Sequence, residues 1–156
     1  MLKLIALDVG DKRVGVAMGM LGPGVVRPLA IFERSQGKAE ESILNLLKDN
    51  KIAEIIVGLP ISEDGRANRQ CAKIENFCRR LHKRLPLRVV FIDEYASSQE
   101  AQEKIANLKE ASSPKGKERE KLDAIAACII METYFNNPNA LVKIWDPEKK
   151  HEPKEL

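Results

Sequence analysis

The first strongly patterned stretch is an unbroken apolar run, Leu4-Ile-Ala-Leu7, which stops at Asp8. A short, fully apolar run fits a strand covered by protein on both faces. Val9-Gly10-Asp11 reads as a turn, and Val14-Gly-Val-Ala-Met18 as a second strand returning antiparallel to the first. Gly22-Pro-Gly24 is another turn, and Val25 to Phe32 supplies a third strand, with Pro28 pointing to a sheet edge. From Gly37 to Asn50 the period becomes helical, with Ile43, Leu46 and Leu47 on one face. Ile52 to Val57 is a fourth strand that runs into Gly58-Leu-Pro60, and Ser62 to Gly65 is a polar loop. A second helix follows in which Cys71, Ile74, Cys78, Leu81 and Leu85 recur at helical spacing until Pro86 stops it. Arg88 to Ile92 is a fifth strand ending in Asp93-Glu94. Ser97 with Glu100 forms a capping box for a helix through Leu108. Residues 109–119 are polar and read as a mobile loop, and a last strong helix runs from about Arg119 to Phe135. Beyond Pro138 only Leu141 to Trp145 is apolar, and the charged end is expected to be disordered.

Three strands in meander followed by strand–helix alternation predict an α/β fold. Its mixed five-stranded sheet has the order 3-2-1-4-5, with strand 2 antiparallel and helices on both faces. Residues 1–138 are expected to form one domain and 139–156 a C-terminal extension. Ligands in such sheets bind outside the carboxyl ends of the parallel strands. Asp8 and Glu94 both fall at that edge, far apart in the chain. Only one of Asp93 and Glu94 can face a given side, because side chains alternate along a strand.

A third acid interrupts the last helix. Asp123, Ala126, Ala127 and Ile130 follow helical spacing, so one charge sits on an otherwise apolar face, expected in the first turn. Carboxylates at the mouth of an apolar sheet are costly unless a cation, hydrogen bonds or a proton neutralises them. Two strand-end carboxylates and one helix carboxylate suit Mg²⁺ or Mn²⁺, whose preferred ligands are oxygens. Two such ions would clamp a phosphodiester for in-line attack by water. Taken singly, each acid also has a duller reading: Asp8 as a turn cap, Glu94 as a wet surface residue, Asp123 as a partner of the helix dipole.

Composition changes this picture little. The chain has 156 residues, 44% hydrophobic and 31% charged, which suits one compact domain. A net charge of +3 does not argue for nucleic acid unless the basic residues cluster. They do: Lys12 and Arg13 follow the first strand, and Lys115, Lys117, Arg119 and Lys121 precede Asp123. Both groups are expected to border the acids and hold backbone phosphates. Aromatics make up only 4%, which disfavours a base-stacking platform. Cys71, Cys78 and Cys128 lack metal-ligand spacing and read as buried reduced thiols. No run approaches the ~20 apolar residues of a membrane span, and no signal-peptide pattern opens the chain. The expectation is a cytoplasmic protein without membrane attachment.

In combination, four motifs resemble the YqgF/RuvX family of Holliday junction resolvase-like proteins. They are Leu7-Asp-Val-Gly-Asp-Lys-Arg-Val-Gly15, Val57-Gly-Leu-Pro60 with Asp64-Gly65, Asp93-Glu94, and Asp123-x-x-Ala-Ala127. Members are also described as pre-16S rRNA nucleases, and the resemblance implies the RNase H-like fold. By position, the family's metal-site acids fall on Asp8, Glu94 and Asp123. Tyr95 stands where an Arg usually follows the acidic pair, Ala96-Ser97-Ser98 replaces the usual Leu-Thr/Ser-Thr, and Asp11 stands where Thr or Ser is common.

The expected function is a Mg²⁺- or Mn²⁺-dependent nuclease acting on structured nucleic acid, processing the 5′ end of precursor 16S rRNA. The alternatives are a Holliday-junction-type DNA resolvase and a non-catalytic RNA-binding module of the same fold. An ATPase of the actin or sugar-kinase type shares the Asp8-x-Gly10 turn but needs a second domain that this length does not accommodate. Monomer and homodimer both stay open, and a two-fold junction cutter would need the dimer.

Overall fold

The computed structural model describes residues 2–61, 68–96, 99, 103 and 117–147, with side chains left aside over 117–123. Six strands form one sheet: β1 (Lys3–Val9), β2 (Arg13–Met20), β3 (Val25–Glu33), β4 (Glu54–Leu59), β5 (Arg88–Asp93) and β6 (Leu141–Trp145). Their order is β3-β2-β1-β4-β5-β6. β2 pairs antiparallel with both β1 and β3, whereas β1, β4 and β5 run parallel. The α/β class and the order of the first five strands are as the hydrophobic pattern predicts. The strand count is not, because β6 pairs antiparallel with β5 and makes the sheet six-stranded. Four of its five residues are exposed, so its pattern lacks the buried alternation by which a strand is read from sequence.

Among the described residues three long helices pack on this sheet: α1 (Lys38–Asp49), α2 (Arg69–Arg84) and α3 (Lys117–Asn136). The period-2 alternation of the strands divides the core in two. Ile5, Leu7, Ile55, Val57, Val89 and Phe91 face α1 and α2, where Ile43, Leu47, Ile74, Phe77 and Leu81 cover them. Leu4, Ala6, Ile56, Val90 and Ile92 face α3, where Ala127, Ile130 and Met131 cover them. Each large side chain fully withdrawn from water in these layers contributes about 1.5–3 kcal/mol.

α2 begins where Asn68 Oδ1 accepts from the Cys71 N–H at 3.0 Å, while Asn68 Nδ2 donates to the Pro60 carbonyl at 2.6 Å. It ends at Leu85, next to the proline that cannot continue it. α3 starts two residues earlier than the sequence suggests, so Asp123 lies in its second turn. That is a correction: the helix dipole acts mainly over the first turn and does little for a carboxylate at position 123. Residues 117–119, expected in a loop, are helical for the same reason. Of the helix expected from Ser97 to Leu108, Gln99 and Glu103 are described and helical, with Gln99 Nε2 donating to Glu103 Oε1 at 3.3 Å. The expected loops at 62–65 and 109–116 and the tail from 148 lie outside the described residues.

Candidate active site

β1 is central and buried through Leu7, and Asp8 is its first half-exposed residue. Its alternation places position 8 on the same face as Leu4 and Ala6, the face that α3 covers. The register Leu7↔Val57 brings Asp8 level with Gly58 on β4, and Gly58 pairs with Ile92 on β5. Glu94 follows two residues after Ile92, in the 3-10 turn Glu94–Ala96 that ends the strand. The same side of the sheet thus carries Asp8, level with a glycine of β4, and Glu94 just beyond the end of β5, close to that glycine.

A side chain at this glycine would crowd α3. A Cβ at Gly58 would stand 2.7 Å from Ile130 Cδ1 and 3.4 Å from Glu94 Cβ. The missing side chain leaves the space into which Ile130 of α3 and the stem of Glu94 fit. Asp93 has the parity of Val89 and Phe91 and points the other way; its Oδ1 accepts from the Tyr95 N–H at 3.0 Å and so closes the turn. Asn137, just past α3, donates from Nδ2 to the Ala96 carbonyl at 3.1 Å and fixes the other end of that turn.

The two carboxylates sense each other. Burial holds the Glu94 carboxyl above its ordinary pKa, and the negative charges of Asp8 and Asp93 push it further the same way. A half-buried acid pair with mutual repulsion takes up either a proton or a cation. The donors are carboxylate oxygens, which fit Mg²⁺ and Mn²⁺ better than softer ions. Among the described residues no three potential ligands gather into a site. The expected third acid, Asp123, is carried by α3, but its side chain is outside the described set. Its helix lies on the face that Asp8 and Glu94 share, and position 123 is two helical turns, about 10 Å, before Ile130.

The basic groups divide similarly. Lys12 and Arg13 are exposed at the tip of the β1–β2 hairpin, Arg13 two positions before Gly15, the strand partner of Asp8, and line a groove with Asp11, Glu33, Arg34 and Ser35. Lys115 lies outside the described residues; Lys117, Arg119 and Lys121 are on α3 with side chains left aside. On α2, Arg80 and Arg84 pair with Glu40 and Glu41 of α1 at 3.9 and 2.7 Å, in keeping with a solvated face. Cys71 and Cys78 are buried and Cys128 half-buried, all three as free thiols. Burial pushes the Cys78 and Cys128 thiols up to about 12, which makes them poor nucleophiles. Two features escaped the sequence pattern: the space at Gly58, and Arg34, whose part in the hairpin no periodicity announces.

A family model described as Holliday junction resolvase, RuvX, matches residues 2–137. The chain belongs to the RuvX family. It is 36% identical over 133 residues to the "Putative pre-16S rRNA nuclease" of Escherichia coli O1:K1 / APEC and to that of E. coli K12 / DH10B. In both cases the match covers 85% of this chain and 94% of the relative. Among solved structures, T. thermophilus RuvC in complex with a Holliday junction substrate matches with a TM-score of 0.58 at 12% identity, over 91% of this chain and 100% of that one. The human cytomegalovirus terminase nuclease domain matches with a TM-score of 0.50 at 13% identity, over 89% and 84%. Identities this low establish the shared fold, which is RuvC-like and hence RNase H-like. In this RuvX chain Tyr95, in place of the usual Arg, is 67% exposed and offers no positive charge beside the acids.

Proposed function

We propose that this RuvX protein is a divalent-metal-dependent nuclease that hydrolyses phosphodiester bonds of structured nucleic acid, with the 5′ end of precursor 16S rRNA as its substrate. The observation that carries the proposal is the meeting of Asp8 and Glu94 over Gly58, beneath the helix that bears Asp123. The names of its E. coli relatives favour an rRNA precursor. A substrate of that class gives the cytoplasm as the place of action, and no helix among the described residues is long and apolar enough to cross a membrane.

In this reading Asp8, Glu94 and Asp123 hold Mg²⁺ or Mn²⁺. When bound, such an ion supplies Lewis acidity towards a phosphoryl oxygen and offsets charge that develops during in-line displacement. The chain's own contribution is to hold the acids at fixed spacing. Asp8 is set by a strand buried on both faces, and Glu94 by a turn tied at Asp93 and Ala96. Lys12 and Arg13, with Lys115, Lys117, Arg119 and Lys121, hold backbone phosphates on either side of the reacting one.

The test is cleavage of precursor rRNA and of four-way DNA with Mg²⁺ or Mn²⁺, by the natural chain, Asp8→Asn and Asp123→Asn. The expected result is RNA cleavage that falls about 100-fold or more in both variants. Cleavage unchanged in both variants sinks the assignment of this site, and preference for the four-way junction transfers it to a resolvase. One observation favours a second reading, a binding module without turnover: the uncharged Tyr95 beside the acids. Calorimetry that finds no divalent-ion binding beside salt-sensitive RNA binding would decide for it.

A further inference from the structure

Arg34, from outside the hairpin that joins Asp8 to Lys12 and Arg13, is tied to its turn. Within the turn, the Gly10 N–H donates to the Arg13 carbonyl at 2.9 Å, and a Cβ at Gly10 would stand 2.9 Å from that same oxygen. The carbonyls of Gly10 and Lys12 accept from Arg34, just past the end of β3. Arg34 Nη1 donates to the Gly10 carbonyl at 2.7 Å, and the Arg34 N–H donates to the Lys12 carbonyl at 2.9 Å. The guanidinium lies 4.8 Å from the ring centre of Phe77, a residue of α2 with no exposed surface. A charged donor to a carbonyl, seated on an aromatic face, is a stronger tie than an ordinary turn hydrogen bond. Arg80 approaches the same ring at 5.7 Å but is paired with Glu40 at 3.9 Å, so Arg34 is the guanidinium that turns to the hairpin. The exposed Lys73 of α2, 3.8 Å from the exposed Asp11, adds only a weak surface contact to the tip.

We propose that Arg34 is a positioning residue for nucleic-acid binding: through its side-chain bond to the Gly10 carbonyl it fixes the hairpin tip, so that Lys12 and Arg13 meet a phosphate adjoining the one at Asp8 and Glu94. The proposal rests on the nuclease reading for the identity of that second phosphate. A loose tip still carries its charges, but each encounter must first order it, which weakens binding. The consequence falls on binding and leaves the acids in place.

The experiment uses the full chain as Arg34→Gln, Arg34→Lys, Lys12→Ala and the double variant Arg34→Gln/Lys12→Ala. Cleavage gives kcat and KM well below each Tm, and fluorescence anisotropy gives metal-free RNA binding across a salt series. Arg34→Gln is expected to raise KM and weaken binding about tenfold, with kcat changed less than threefold. Its salt slope should stay that of the natural chain, because the same phosphates are met once the tip is ordered; a fall of about 0.7 would mark a phosphate contact by Arg34 itself and overturn the proposal. Arg34→Lys, which keeps a charged donor for the Gly10 carbonyl, should recover part of the loss. The double variant should lose clearly less than the product of the single losses, because both act on one contact. Unchanged KM and binding with only a lower Tm would show a purely structural residue and overturn the proposal; so would independent effects in the double variant. If the natural chain binds RNA but cleaves nothing, the nuclease reading fails while the binding arm still judges Arg34. If it does not bind, the proposal for Arg34 fails as well.

Discussion

Glu94 carries the clearest electrostatic signature of the site. Its carboxyl keeps its proton to higher pH in the folded chain than in the unfolded one, so folding takes up protons through that window. Without metal, stability therefore declines as pH rises from the ordinary carboxylate range through the raised value. Glu94→Gln is expected to raise the metal-free Tm more at pH 7 than at pH 4, and to abolish any rise in Tm on adding Mg²⁺ or Mn²⁺; thermal melts at both pH values check it. Metal affinity of the natural chain should correspondingly weaken as pH falls through the same window. The neighbouring glycine makes a separate prediction. Gly58→Ala places a methyl 2.7 Å from Ile130 Cδ1, and overpacking of that kind costs about 1–3 kcal/mol. Ile130→Val removes the colliding atom, so denaturant titration of the double variant should show much of that loss restored.

At the level of elements, what matters is how α3 and β6 are tied to the parallel strands. Tyr134 of α3 donates its hydroxyl to Glu54 Oε1 at 2.9 Å, at the start of β4. Arg88, at the start of β5, joins the same Glu54 at 2.9 Å and reaches Asp146, just after β6, at 3.1 Å. Burial and the bond to Glu54 push the Tyr134 phenol up to about 12, so it stays a donor throughout the physiological range. Tyr134→Phe is expected to cost about 0.5–1.5 kcal/mol, read by urea unfolding, because Glu54 keeps its partner Arg88. β6 is a sixth strand by virtue of such ties. Trp145 packs edge-on against Phe91 at 4.7 Å, and Lys143 pairs with Glu75 of α2. A chain ending at residue 138 bares the outer edge of β5 and should melt at least several degrees lower than the natural chain, which differential scanning calorimetry would reveal.

For the whole molecule, the charge distribution sets how nucleic acid would be met. The net charge is only +3, yet Lys12 and Arg13 stand on the hairpin that follows Asp8. Affinity should therefore depend on salt far more than the net charge implies, and Lys12→Ala should lower the slope of log K against log salt by about 0.7 for single-stranded RNA. Light scattering of the natural chain, with and without four-way DNA, separates the two oligomeric readings: a resolvase acts on a two-fold substrate as a dimer, whereas an rRNA-end nuclease has no such need.

Much of this was legible in the chain alone, because it followed from local covalent order and hydrophobic period. Leu4 to Leu7 needs cover on both faces, the glycine turn forces the next strand to return, and right-handed crossovers then leave β1 in the middle. Asp8 and Glu94 were legible as strand-end acids for the same reason. The strand Leu141–Trp145 was not: it is a strand because β5 offers it an edge, and four of its five residues stay exposed. Nor could alternation alone choose between Asp93 and Glu94, since that choice depends on which face α3 covers. The space at Gly58 and the grip of Arg34 on the hairpin likewise join positions 22 to 72 residues apart. Period and turn chemistry act between near neighbours, whereas contacts across such distances exist only once the sheet and its helices have closed on one another.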